Sequence, residues 1–340
     1  MRIIRPEQRA WALGNPGLHI EGALASAVAP ALHLTATTTA TPQTVTIQQL
    51  TPSVNTTIDW GDGSAPDTIA AAYAGTLTHS YAAPGTYPIR VENADALTRV
   101  DIRVAQIGGL NTADLAGATL VYFRANNMGA GCVIRSADMV AWTPTDWRLY
   151  SMPAGGTYDI QSVHMTGWTP TIWYLHSMPA GGTYDIQSVH MSTWTPTFWW
   201  LYSMPAGGTY DIQSVHMSTW TPTFWRLSSM PAGSITINAA ANFAGFVRCT
   251  SFLADNNGLL TADVDAILYG LYQAATARTG SGGTINLGGT NQAPSGIDQA
   301  AASCPVDAAT PGREVRHELL NNGCGGVNLG RVWSTVTVTA

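Results

Sequence analysis

Lysine is absent from this chain: all 15 basic residues are arginine, set against 21 Asp and Glu, for a net charge of −6. A nucleic-acid partner is excluded on that balance, because phosphate backbones are gripped by a basic stripe. Charge of either sign is scarce. Only 11% of residues are charged while 45% are hydrophobic, which points to a β-rich, rigid, assembly-forming chain. Four cysteines (Cys132, Cys249, Cys304 and Cys324) are too few for a disulfide scaffold. Cys304 and Cys324 share one loop-rich segment, and their pairing stays open. No CxxC and no Cys/His cluster of metal-ligand spacing occurs, so neither a metal nor another cofactor is expected. No apolar run reaches the ~18 residues of a membrane span. Arg5, Glu7 and Arg9 interrupt any apolar core that a secretory signal would need near the N-terminus, so no signal peptide is expected.

What the chain has in abundance is itself. Thr157–Met165 reads TYDIQSVHM, and the same letters return at Thr183–Met191 and Thr209–Met217. Trp142, Trp168, Trp194 and Trp220 mark a period of 26 residues. Periods in this range signal a solenoid, in which each repeat buries its apolar face against its neighbours. Pro153-Ala-Gly-Gly156 and its copies are the expected corners, and the four Trp are expected to form a buried ladder.

One stretch of each copy varies. It reads DWRLYSM from Asp146, IWYLHSM from Ile172, FWWLYSM from Phe198 and FWRLSSM from Phe224. Trp147, Leu149 and Ser151 have identical counterparts in every copy. The residues between them change: Asp146, Ile172, Phe198 and Phe224; Arg148, Tyr174, Trp200 and Arg226; Tyr150, His176, Tyr202 and Ser228. Constant and variable positions alternate with period two, as in a β-strand that packs one face and displays the other. Relaxed constraint on an exposed face would also produce variation. Relaxed positions drift toward small polar residues, however, whereas these are rich in aromatics and Arg, the side chains that dominate binding hot spots. These twelve residues are the expected binding surface, displayed on a face whose truncation leaves the fold intact.

Four regions follow. Residues 1–30 form a leader or attachment segment. Residues 31–93 contain TIDWGDGS (Thr57–Ser64) and THSYAAPGTYPIRV (Thr78–Val91), a pair that resembles the polycystic-kidney-disease (PKD) type of immunoglobulin-like domain. That resemblance implies a small β-sandwich acting as a spacer or adhesion module. Asp59, Asp62 and Asp67 are suited to Ca²⁺ or to turn-stabilising hydrogen bonds, the latter favoured. Residues 94–255 form the solenoid. Leu97, Val100, Ile102 and Ile107 resemble the leucine-rich-repeat spacing, and Ile160, Val163 and Met165 resemble it loosely again. Two extended segments per copy suggest a two-strand β-solenoid instead. Residues 256–340 are an α/β cap: a helix from Thr261 with apolar Val264, Ile267, Leu268 and Leu271, then strands at Thr284 and Val332. This order resembles the terminal caps of leucine-rich-repeat-like phage tail and bacterial surface proteins.

The expected fold is therefore mostly β, a small sandwich followed by a repeat solenoid. No catalytic constellation is expected. Asp159, Ser162 and His164 recur in register, which reads as a ladder of like residues, whereas a catalytic site is a single constellation. Glu314, His317 and Glu318 read as a solvated helix face. The functional expectation is a receptor-binding adhesin of the phage tail-fibre or tail-tip kind, located on a virion or an extracellular surface. Its partner would be a host cell-surface protein or glycan, within a homo-oligomer or larger particle. The alternative is a self-assembling filament or surface-layer subunit whose partner is itself.

Overall fold

The structure, a computed structural model, describes residues 30–231, 235–236, 243, 245–275, 282–296, 301, 310–321 and 333–338. The leader up to residue 29, Cys304 and Cys324 lie outside the described residues. The chain is mostly β, and repeated parallel strands run through it in a sheet.

The repeats form that sheet because identical letters meet identical letters. Strand Asp146–Tyr150 pairs in parallel with Ile172–His176, that strand with Phe198–Tyr202, and that one with Phe224–Ser228. Trp147 sits opposite Trp173, and Trp173 opposite Trp199. A one-residue slip would turn every indole to solvent, so the register is strongly specified. Each copy carries a second strand, Thr157–Gln161 in the first, and these pair in parallel in a separate sheet. A 3₁₀ turn follows each, such as Ser162–Met165.

The corners are built from the repeated PAGGTY. Gly155 has φ of +82°, a conformation open to glycine. Tyr158 then folds back, and its hydroxyl donates to the Pro153 carbonyl at 2.8 Å. A Cβ on Gly156 would lie 2.4 Å from that hydroxyl, which explains the second glycine. The same Tyr-to-Pro bond recurs at Tyr184 and Tyr210. Burial pushes the Tyr184 phenol up to about 12, so it stays a donor.

Between the sheets lies an aromatic core. Phe123, Trp147, Trp173, Trp199, Trp225 and Phe252 form a continuous stack, with neighbouring tryptophans 5.6 Å apart. The Trp142 series is buried as expected. Its indoles do not form the stacked column, however. Each packs tilted on a ring of the neighbouring turn, as Trp168 does on Trp147 at 5.9 Å. Aromatic pairs of this kind contribute about 0.5–1.5 kcal/mol each beyond area burial.

The leucine-rich-repeat register needs correction. Ile160 and Met165 are buried, but Val163 is 45% exposed, as are Val189 and Val215. The 3₁₀ turn rotates this position outward, so it does not serve as a core leucine.

Antiparallel strands precede the repeats. Leu32–Thr38 pairs with Gly85–Val91, and Gln43–Ile47 with Leu77–Tyr81. The 93/94 division is crossed by backbone hydrogen bonding. Gln49–Pro52 pairs with Leu97–Ile102 at the edge of the long sheet, and Leu32–Thr38 also pairs with Ile107–Gly108. At the other end Ser251–Leu253, Thr284–Leu287 and Thr335–Val338 extend the same sheet in parallel. Helix α1 (Thr261–Ala275) buries Val264, Ile267, Leu268 and Leu271, and Asp263 accepts the Leu260 N–H at 3.1 Å in the capping-box manner. Helix α2 (Gly312–Asn321) departs from the solvated face expected of it: Glu314 and Glu318 are buried, and Glu318 accepts the Ala301 N–H at 3.0 Å. Among the described residues no helix is long and apolar enough to cross a membrane.

Candidate functional site

All twelve variable residues fall on one face of the long sheet, in three columns running across the strands. The first column is Asp146, Ile172, Phe198 and Phe224. The second is Arg148, Tyr174, Trp200 and Arg226, and the third Tyr150, His176, Tyr202 and Ser228. The period-two reading of the strand is therefore upheld in geometry, with Trp147 and Leu149 fully buried on the opposite face.

The face is less open than the sequence implies. His176 is 7% exposed and Ser228 1% exposed, so both are buried, and the other ten are half-buried. The cause is stacking along the columns. Strands about 4.8 Å apart bring like positions to ring-stacking distance. Tyr150 stacks on His176 at 4.5 Å, and His176 on Tyr202 at 4.1 Å. Tyr174 stacks on Trp200 at 4.2 Å. Ser228 donates to the Asp255 carboxylate at 2.8 Å. Stacked in this way the residues support one another, so truncating them is expected to cost stability as well as contact area.

Arginines close the stacks. Arg148 lies 5.0 Å from the Tyr174 ring centre, Arg226 3.7 Å from Tyr202 and Arg124 5.6 Å from Tyr150. Asp146 accepts two hydrogen bonds from Arg148, both at 2.7 Å. His176 bonds the Tyr202 hydroxyl through Nε2 and Ser177 Oγ through Nδ1, both at 3.2 Å. Burial, and then the nearby Arg226 charge, lower its pKa to about 4, so it is neutral near pH 7. Arg124 and the flanking pair Arg99 and Tyr122, 4.3 Å apart, belong to this face and fell outside the variable set. Their strands lie outside the near-identical copies, and only the alignment of strands adds them.

Ser151 was grouped with the packed face, and that grouping is wrong. Ser151, Ser177, Ser203 and Ser229 have φ of 50–53°, just past the strand end. Their N–H groups bond the next turn, as Ser151 does to the His176 carbonyl at 3.2 Å. Asn127 and Asn256 share this conformation, and Asn adopts it readily. The constant serine thus sits in the left-handed region past the strand end and not on the packed face.

On the reverse sheet, Ser162 Oγ meets His190 Nδ1 of the next copy at 2.9 Å and accepts the Gln187 N–H at 2.8 Å. Ser136 with His164 and Ser188 with His216 repeat the first contact. Asp159 instead bonds Gln161 within its own copy. The serines are fully buried and stitch successive turns together. In the antiparallel unit, Asp59 and Asp62 accept the Gly61 and Ser64 N–H groups, and Asp67 accepts the Trp60 indole. Two contacts, the Ser64 and His79 bonds, hold the Asp62 carboxyl well below its ordinary range. Among the described residues no group of three His, Cys, Asp or Glu is placed to hold a metal ion.

No protein-family model matches this chain, and no curated protein or solved structure matches it at a significant level.

Proposed function

We propose that this chain is a non-enzymatic recognition protein, a virion-borne receptor-binding adhesin of the phage tail-fibre or tail-tip kind. The observation that carries the reading is the confinement of variation. Three copies share the same PAGG corners and the same TYDIQSVHM stretch and, apart from Thr166-Gly167 where the others have Ser-Thr, differ at positions gathered on one face in register; the fourth, which departs from the repeat at Ser234, adds Phe224, Arg226 and Ser228 to that face. In this reading the repeats wind as a two-strand β-solenoid, and residues 31–93 form a PKD-type sandwich that serves as a spacer. Gln49–Pro52 at one edge and Thr284–Leu287 with Thr335–Val338 at the other would then cap the stack, as solenoids require. Tyr, Trp and Arg supply contact area at low entropic cost.

A copy swap tests the reading without emptying the stacks. The triple substitution Ile172→Phe, Tyr174→Trp and His176→Tyr turns the second variable strand into a duplicate of the third. The chain is expected to melt cooperatively near its normal temperature and to lose or redirect adhesion to host cells, read by cell-binding cytometry. Unchanged adhesion overturns the proposal. Unchanged adhesion with lost self-assembly in electron micrographs transfers the conclusion to the alternative, a filament or surface-layer subunit that packs through this face.

A further inference from the structure

Resting on that recognition reading, we propose that the variable face binds an acidic polysaccharide through arginines that lack a carboxylate partner at the two ends of its aromatic stacks. The argument begins with charge. Of the arginines on this face, Arg148 is paired with Asp146, and Arg103 with Asp101 at 2.8 Å. Arg99, Arg124 and Arg226 have no carboxylate within 4 Å among the described residues. The remaining acid at the edge, Asp255, is engaged by Ser228 and Asn256. Three uncompensated guanidiniums on one face of a chain of net charge −6 are a local inversion of sign. Each is held over a ring, Arg99 on Tyr122, Arg124 on Tyr150 and Arg226 on Tyr202. Their positions are thus set before any partner arrives, which lowers the ordering cost of binding.

The spacing is that of an extended ligand. Arg124 and Arg226 stand on strands four steps apart, roughly 19 Å at about 4.8 Å per step. Between them lie the aromatic columns. Rings of neighbouring strands stack at 4.1–4.5 Å with planes 10–18° apart, which leaves no gap between them for an inserted side chain. Along the columns the Tyr150 hydroxyl accepts from Arg124 and the Tyr202 hydroxyl bonds His176, while the Tyr174 hydroxyl has no hydrogen-bond partner among the described residues. Hydrogen-bonding groups between fixed cations suit hydroxyl-rich sugar units bearing carboxylate or sulfate. A peptide would need pockets for anchoring side chains.

The test uses the full chain and biolayer interferometry. Immobilised polygalacturonate and heparin are the acidic probes, dextran the neutral one and polyglutamate the acidic peptide. Binding to an acidic polysaccharide but not to dextran is expected, weakening from about 50 to about 500 mM salt as exposed charges are screened. Arg124→Gln and Arg226→Gln are each expected to weaken it roughly tenfold, as lost charge contacts do. Arg124→Lys and Arg226→Lys retain most of it, and Arg135→Gln, on the reverse sheet, changes nothing. Thermal melts check that each variant folds; should Arg226→Gln unfold, Arg124→Gln and the lysine pair carry the result. Tighter binding to polyglutamate overturns the proposal in favour of an acidic protein partner. Binding insensitive to the glutamine variants, or absent for both polysaccharides, also overturns it. If adhesion still responds to the copy swap in that case, recognition stands and only the ligand class fails.

Discussion

His176 shows how a displayed position becomes a structural one. Its ring is held between Tyr150 and Tyr202, with Arg226 close enough to disfavour its cation. The unfolded imidazole titrates near 6.5, and the folded one at about 4. Between those values the unfolded chain takes up a proton that the folded chain refuses. Stability from this group is complete above pH 6.5 and is lost as pH falls toward 4, by at most about 3 kcal/mol. His176→Tyr keeps the stack and removes the titration. The expected outcome is a smaller drop in melting temperature between pH 7 and pH 4.5 than in the unaltered chain. An identical drop would show that His176 is not the acid-sensitive group.

An element of this protein is one copy of the repeat, and its variable residues are matched to the copies on either side. Removing Trp168–Thr193 would bring Asp146–Tyr150 against Phe198–Tyr202. Arg148 would then face Trp200, Tyr150 would face Tyr202 and Trp147 would face Trp199 (registers inferred from the identical spacing of the copies). On the reverse sheet Ser162 would meet His216 in place of His190. The indole stack, the Ser–His bond and a cation–π contact survive, tryptophan being the best ring for such a contact, while the His176 bond to Tyr202 and the Tyr174–Trp200 stack are lost. The shortened chain is expected to fold and melt cooperatively, a few degrees lower, because stability is close to a sum over turns and interfaces. Loss of a cooperative calorimetric transition would refute the matching argument.

At the scale of the whole molecule, the long sheet is finished differently at its two ends. Antiparallel Gln49–Pro52 covers one edge, and parallel Thr284–Leu287 and Thr335–Val338 extend the other. Truncation before Asn256 removes those two strands and both helices. It leaves Ser251–Leu253 as a bare parallel edge beside the stacked Trp225 and Phe252, a template for pairing between chains. Concentration-dependent aggregation is expected in light scattering. A monodisperse truncated chain would mean that the last strands do not protect the edge.

Much of this was legible in the letters. Identical residues at a fixed period meet in register, as Trp147 does with Trp173, but the period does not say which tryptophan series stacks, since the Trp142 series shares it and packs tilted. The period-two alternation likewise located the variable face, since side chains alternate along any strand. What the sequence could not decide was exposure. Burial depends on which rings share a column, and columns exist only once strands align. Hence His176 and Ser228 sank into the face, and Val163 turned out of the core. Ser151 left the packed face because the backbone turns to positive φ there, which no side-chain pattern encodes. The same holds for charge: Arg124 and Arg226 lie about a hundred residues apart, and only the stacking of turns places them as the two ends of one surface.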